Sequence, residues 1–220
     1  TGSPIQEGYG LTECAPVVAV HPPHERRRKD TVGPPIPLTD VKVVGSEDET
    51  LHPGEVGEIW IRGPQVMSGY WRNPELTRQV LTDDGWLKTG DMGTLSEEGY
   101  IEVIDRKVEV IKTAGFDVYP SELENLIACH PDVLECAVIG VSDESSGERV
   151  QLFVVPTQPD HFDETALLSW CRQQLAAYKV PKEIHCLETL PKTPVGKVLR
   201  RALRTPVNQA SEATQMLKQA

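Results

Sequence analysis

Four stretches of this chain put side chains capable of chemistry close together. In YGLTE (9–13), Tyr9 and Gly10 supply an aromatic ring and a flexible turn, and Thr12 and Glu13 a hydroxyl and a carboxylate. The ring could stack on a base, Thr12 could bond a phosphate oxygen and Glu13 could hold Mg2+. A strand that ends in a polar turn accounts for the same pentapeptide when it is taken alone. In Thr89-Gly90-Asp91, a carboxylate at a strand end could accept hydrogen bonds from both hydroxyls of a ribose. A turn aspartate serving local backbone donors is the plainer account. Asp105-Arg106-Lys107 leads into Lys112, Gly115, Tyr119-Pro120 and Glu122. The planar fork of Arg106 could bridge a phosphate or a ribose, or form a surface ion pair with Glu102 or Glu109. Gly115 could admit a ligand close to the backbone or make a turn with positive φ. In PKTPVGK (191–197), Lys197 ends a loop shaped by proline and glycine just before a helix. An ammonium on such a loop is a mobile point charge suited to developing negative charge, or else a solvated lysine in a basic stretch.

The elements that must position these groups change character near residue 105. Residues 1–104 read mainly as strands. Runs at 41–44 and 57–63 flank a turn at 48–54 and predict a hairpin, with further strands at 85–90 and 100–104. Asn73-Pro74-Glu75 starts a short helix. Residues 26–37, RRRKDTVGPPIP, read as an exposed connection. After 105, a helix is expected from Pro120 to about His130, with Leu123, Leu126 and Ile127 on one face. Apolar runs at 133–141 and 150–155 predict an antiparallel pair across a polar loop at 142–149. The spacing of Leu167, Leu168, Cys171 and Leu175 predicts a helix over 163–178, stopped by Pro181. A strand at 183–187, a helix at 198–204 and a polar, frayed tail beyond Pro206 complete the reading.

Composition narrows the function classes. The chain has 220 residues, 39% apolar and 25% charged, which is globular material with room for one large or two modest domains. Its 22 basic and 33 acidic residues give a net charge of −11, against a general nucleic-acid binder. That charge divides as −8 over 1–104 and −3 over 105–220, and five basic residues with no acid lie between Lys192 and Arg204. Apolar runs such as 137–141 are too short to span a bilayer, and 1–10 has no secretory pattern. Five cysteines without a CxxC pair argue against a disulfide framework or a zinc cage. A reducing cytoplasm is the expected setting.

Order and company then add what the single stretches do not. YGLTE, GEVGEIWIRGPQVMSGYW, GWLKTGD, IDRKVEVIKTAGFDVYPSELE and LPKTPVGKVLRR, in that order, resemble the adenylate-forming superfamily of acyl-CoA synthetases, adenylation domains and luciferases. GPQVMSGYW, GFDVYPSELE and YKVPKEI look most like bacterial medium- to long-chain fatty acid–CoA ligases. The resemblance implies an α+β fold. Residues 1–104 would be the β-rich end of a large ATP-binding domain, part of a distorted antiparallel barrel. Residues 105–220 would be a small mobile lid with a central sheet and flanking helices. It also implies a two-step reaction. A fatty acid carboxylate attacks the α-phosphate of ATP to give acyl-adenylate and pyrophosphate, and coenzyme A then takes the acyl group and releases AMP. By that resemblance Tyr9, with Gly10, would lie near adenine, Thr12 at phosphate and Glu13 on Mg2+. Asp91 would bind the ribose hydroxyls, and Arg106 would sit at ribose or phosphate. Lys197 would reach the first transition state. The lid would then rotate to present the face around Gly115, with Lys112, to the thiol.

Two departures stand against the family pattern. Val108 occupies the position two after Arg106 where a charged hinge residue is usual. The phosphate loop and acyl pocket expected upstream of YGLTE are not in this sequence, so the chain reads as the C-terminal portion of a longer ligase, inactive by itself. Apolar faces left by the missing N-terminal part would favour homo-oligomers, and membrane association would be peripheral at most, at the inner face. Loading of a carrier protein and a non-catalytic nucleotide- or partner-binding module are the competing readings.

Overall fold

Short, punctuated strands dominate the first part of the chain, and longer strands with helices the second. The structure, a computed structural model, describes residues 5–23, 27–194 and 196–204. It divides into two compact units, Thr1–Val108 and Glu109–Ala220. The expected frayed tail beyond Pro206 lies outside the described residues, as do Arg26 of the proline-rich stretch and Val195 of the lysine loop. The fold is α+β.

In the first unit, β1 (Gly8–Gly10) pairs antiparallel with β2 (Val17–Val20) around a 3₁₀ turn, Thr12–Cys14. A four-stranded antiparallel meander follows in the order β3 (Asp40–Val44), β4 (Gly57–Arg62), β5 (Leu87–Leu95) and β6 (Ile101–Arg106). This sheet is open. Period-two alternation turns Ile59, Ile61, Leu87 and Ile101 onto one face, where they bury against Cys14, Val18 and Ala19. Helix α1 (Pro74–Val80) begins as expected: the Asn73 side chain accepts from the Leu76 N–H, and Pro74 fills the first turn.

The proline-rich stretch departs from its reading as an exposed connection. Ile36 N–H donates to Val18 O, while at the start of β6 Ile101 N–H donates to Gly33 O and Ile101 O accepts from Val32 N–H. The stretch therefore laces β2 to β6. Gly33 is required there: its φ is +96°, and a Cβ would lie 2.4 Å from the Val20 and His21 backbone.

The second unit is built on a five-stranded sheet. Strand β10 (Gly147–Pro156) pairs along its length with β9 (Val133–Asp143), antiparallel, and in parallel with β11 (Glu183–Cys186). At its start, Gly147 meets β7 (Ile111–Thr113), which forms a hairpin with β8 (Phe116–Val118). Helices α2 (Pro120–Ile127) and α3 (Glu164–Gln174) bury Leu123, Ile127, Leu167 and Cys171 against Val138, Val150, Leu152 and Val154. Alternate residues Ala137, Ile139, Phe153 and Val155 bury with Leu190 and with Leu203 of α4 (Arg200–Leu203). Arg200 reaches both carboxylate oxygens of Glu124 at 3.2 and 2.6 Å, tying α4 to α2.

Several boundaries differ from expectation. The polar loop at 142–149 shrinks to 144–146, because Asp143 Oδ1 accepts from the N–H and hydroxyl groups of Ser145 and Ser146 and makes a tight turn. The helix expected over 163–178 starts at its Asp163 cap but ends at Gln174. Leu175 turns extended, and Tyr178 stacks on Phe116 at 4.4 Å. Packing of Leu175, Tyr178 and Val180 onto the core outweighs helix propagation there. Helix α2 likewise stops at Ile127, before His130.

Candidate functional site

The first unit gathers three of the residues singled out in the sequence. Asp91 and Arg106 face each other across the β5–β6 ladder, and Arg106 Nε lies 2.7 Å from Asp91 Oδ1. The Tyr9 hydroxyl, from β1, donates to Asp91 Oδ2 at 2.5 Å. Asp91 is therefore held on both oxygens while only 4% exposed, and Arg106 stays open to solvent. Burial first, then the hydrogen bond to Asp91 and its negative charge, push the Tyr9 hydroxyl well above the usual tyrosine range. It remains a neutral donor throughout the physiological range. The surface pairing of Arg106 with Glu102 is not formed, as Glu102 accepts from Thr94; within the second unit Glu109 pairs with Arg204.

Asp91 does not sit at a strand end, as the sequence suggested, but inside β5 where the ladder breaks. Glu58 opposes Met92 and Trp60 opposes Lys88, so Thr89-Gly90-Asp91 swells out opposite Ile59. Side chains replace the missing ladder bonds. Thr89 Oγ1 donates to Ile59 O at 2.7 Å and accepts from Asp91 N–H, while Gly90 N–H donates to the buried Glu58 at 3.0 Å. Lys107 closes the cluster on the other oxygen of Glu58 at 2.9 Å. Gly90, with φ +70° and open space where a Cβ would stand, makes the bulge possible.

Thr12 and Glu13 ride the 3₁₀ turn, anchored beneath by buried Cys14. Thr12 is exposed and Glu13 half-buried. Glu13 Oε1 accepts from the Tyr70 hydroxyl at 2.8 Å, and Glu13 O accepts from Met67 N–H at 2.8 Å. Burial and this bond to Glu13 raise the Tyr70 hydroxyl above its ordinary range. Among the described residues, no three His, Cys, Asp or Glu side chains come together as a metal cage. One hard carboxylate oxygen beside a hydroxyl fits Mg2+ in the manner of nucleotide sites, where phosphates and water supply the other ligands.

The remaining candidates lie in the second unit. Ala114 and Gly115, both with positive φ, form the two-residue turn of the β7–β8 hairpin, so Gly115 is a turn glycine at an exposed tip. The Lys112 ammonium is paired with Asp117 across that hairpin at 2.6 Å. Lys197 is exposed in a loop closed by Thr193, whose N–H donates to Lys197 O at 2.7 Å and whose hydroxyl accepts from Lys197 N–H. Gly196, at φ +85°, lets that loop close. Among the described residues, the Lys197 ammonium has no carboxylate partner. Sequence reasoning missed Tyr70 and Glu58, and it named Lys107 beside Arg106 without giving it a role.

The chain is similar to known proteins in both sequence and fold. The sequence model of the AMP-binding enzymes matches residues 1–71, and that of the AMP-binding enzyme C-terminal domain matches 122–197. A long-chain-fatty-acid–CoA ligase from Salmonella typhimurium is 47% identical over 93% of this chain, and a feruloyl-CoA synthase from an Amycolatopsis species is 42% identical over 92%. The chain spans 36% and 41% of their lengths. The crystal structure of ATP-bound MatB from Rhodopseudomonas palustris superposes with a TM-score of 0.87 at 37% identity, over 93% of this chain and 41% of that one.

Proposed function

Because the chain belongs to the AMP-binding, adenylate-forming enzyme family, we propose that it carries the nucleotide-holding strands and the small C-terminal unit of an AMP-forming fatty acid–CoA ligase. The observation that carries the reading is the clasp of Asp91 between Tyr9 and Arg106, which pre-organises a buried carboxylate for ribose. A carboxylate has about four acceptor positions, so two remain for the ribose hydroxyls after Tyr9 and Arg106 have taken theirs. Tyr9 offers its ring near the base, and Arg106 keeps free N–H groups for ribose or phosphate. Thr12 contacts phosphate, and Glu13 holds Mg2+, which neutralises phosphate charge when bound. The unpaired Lys197 ammonium supplies charge while negative charge builds between the attacking carboxylate and the α-phosphate. Gly115 and Lys112 serve the coenzyme A half-reaction from the hairpin tip.

A fatty acid is the substrate class favoured by the 47% identity to a ligase named for long-chain fatty acids. The complete enzyme would act in the cytoplasm. No helix among the described residues is long and apolar enough to cross a membrane. Val17, Val20 and Trp71 are exposed apolar side chains of the first unit, available to the rest of the enzyme or to a second copy. The test is a comparison of two proteins. The complete ligase should convert palmitate or decanoate, ATP and coenzyme A to acyl-CoA, AMP and pyrophosphate, read by mass spectrometry. The 220-residue chain alone should release no pyrophosphate above a protein-free control. Absence of AMP formation by the complete ligase with any fatty acid would overturn the reading.

A further inference from the structure

Tyr70 has no role in the function proposed above, yet among the described residues it is the one side chain that holds the Glu13 carboxylate. Its own placement is over-determined. Tyr70 N–H donates to Thr77 Oγ1 at 2.9 Å, and that hydroxyl donates in turn to Asn73 O at 2.9 Å. Gly69 lets the backbone lie against this helix: its φ is +145°, and a Cβ would stand 2.8 Å from the Thr77 methyl. Tyr70 is thus set by α1, whose first turn is fixed by the Asn73 cap. Met67 N–H on Glu13 O fixes the backbone of the same turn from the same segment. Helix geometry is relayed to one oxygen of one carboxylate.

That bond has a consequence for metal chemistry. The phenol takes one of the two acceptor positions of Oε1, so Oε2 is the oxygen Glu13 presents with both positions open, and no other described side chain bonds it. A carboxylate held this way favours one-oxygen coordination, because a metal bound through both oxygens would compete with the phenol for Oε1. Mg2+, small and octahedral, takes carboxylates through one oxygen, whereas Ca2+ readily accepts both. We propose that Tyr70 is a positioning residue that biases Glu13 toward one-oxygen coordination and so favours Mg2+ over Ca2+ in the nucleotide complex. The proposal rests on the reading that Glu13 holds the metal. Groups that orient a metal ligand from behind typically account for about 10–100-fold in metal affinity. Phosphates supply most of the ligands here, so the low end applies.

The experiment uses the complete ligase with Mn2+–ATP as probe, its binding read by Mn2+ electron paramagnetic resonance. Tyr70→Phe keeps the ring and its packing and removes only the donor. It should weaken Mn2+–ATP binding by about 10-fold while the melting temperature stays put, and Ca2+ should displace Mn2+ more effectively relative to Mg2+ than in the parent. Glu13→Gln serves as the second arm. If Glu13→Gln weakens Mn2+–ATP binding but Tyr70→Phe leaves both the affinity and the Ca2+/Mg2+ ratio unchanged, the positioning role is wrong. If Glu13→Gln itself changes nothing, the metal reading of Glu13 fails, and the role of Tyr70 falls with it.

Discussion

Replacing Asp91 by asparagine tests the clasp at its centre. The side chain is nearly isosteric, so packing inside β5 is preserved, but the charge and one acceptor oxygen are lost. In the parent, Oδ1 faces Arg106 Nε at 2.7 Å and Oδ2 faces the Tyr9 hydroxyl at 2.5 Å. Asparagine can offer an oxygen to only one of these donors, and its amide then faces the other. The Asp91–Arg106 pair itself contributes little to stability, about 0–1 kcal/mol, because Arg106 is largely solvated. The larger effect falls on ribose. Its two hydroxyls meet a neutral group with fewer free acceptor positions, and each hydrogen bond to a charged acceptor is worth about 1.5–3 kcal/mol. Losing one of them weakens nucleotide binding by about 1.5–3 kcal/mol, or roughly 10- to 150-fold at about 1.4 kcal/mol per decade. Isothermal titration of AMP into the complete ligase, parent against Asp91→Asn, measures this directly, with thermal melting as the control for folding. An affinity within about threefold of the parent, with unchanged melting, would show that the buried carboxylate orders the bulge and does not bind ribose.

Lys197→Ala should slow acyl-adenylate formation by about 10²–10³-fold and leave ATP affinity and the transfer from preformed acyl-adenylate to coenzyme A near parent rates; equal loss in both half-reactions would make Lys197 structural. Tyr9 binds its proton more tightly folded than unfolded, so its contribution to stability is complete below its ordinary value of 10.0 and is lost as pH rises above it. Denaturant unfolding above pH 10 should therefore be less pH-dependent in Tyr9→Phe, and an unchanged slope would argue against the buried phenol. The serine donors around Asp143 lower its carboxyl to about 2, so an NMR titration should find that midpoint, and Ser145→Ala with Ser146→Ala should move it back toward 3.8. Any support the turn draws from that carboxylate is present above 3.8 and lost as pH falls through about 2. Phe153→Ala, emptying a fully buried site, should destabilise the second unit by about 3–5 kcal/mol in urea unfolding.

Much of the strand order could be read in advance because glycine and proline cut the chain wherever a turn is needed. The hairpin of β3 and β4, the Asn73 cap and the antiparallel β9–β10 pair all follow from local pattern. Three kinds of feature escaped. Polar residues 142–143 and 147–149 carry no apolar alternation yet lie in strands, because the Asp143 turn fixes their register. Leu175 keeps its helical spacing but leaves α3, since its place is set by the distant Phe116–Tyr178 stack and the core beneath. The stretch around Gly33 reads as a linker because its pairing partners, Val18 and Ile101, lie far off in sequence. At the site, Asp91, Arg106 and Tyr9 could be singled out by residue type, while their meeting depends on the register of β5 with β6 and the approach of β1. Tyr70 gave no signal, since its partner Glu13 is 57 residues away.

The two sheets also differ in how the chain must emerge to make them. Each strand of the β3–β6 meander pairs with its neighbour in sequence, so that sheet can form in chain order as it leaves the ribosome, with residues 63–86, including α1, between β4 and β5. Strand β10 instead waits for β11, which joins it in parallel only after α3 has crossed over, and it reaches back past β9 and α2 to meet β7. The second unit closes late, by distant contacts, with the β9–β10 ribbon as the local piece available to start it. During synthesis one edge of β10 is exposed until residues 183–186 arrive, and a stall before them would leave that edge of a long apolar strand unpaired. Truncations ending before β11 should accordingly be aggregation-prone, while those ending beyond Leu203 keep every strand of the sheet.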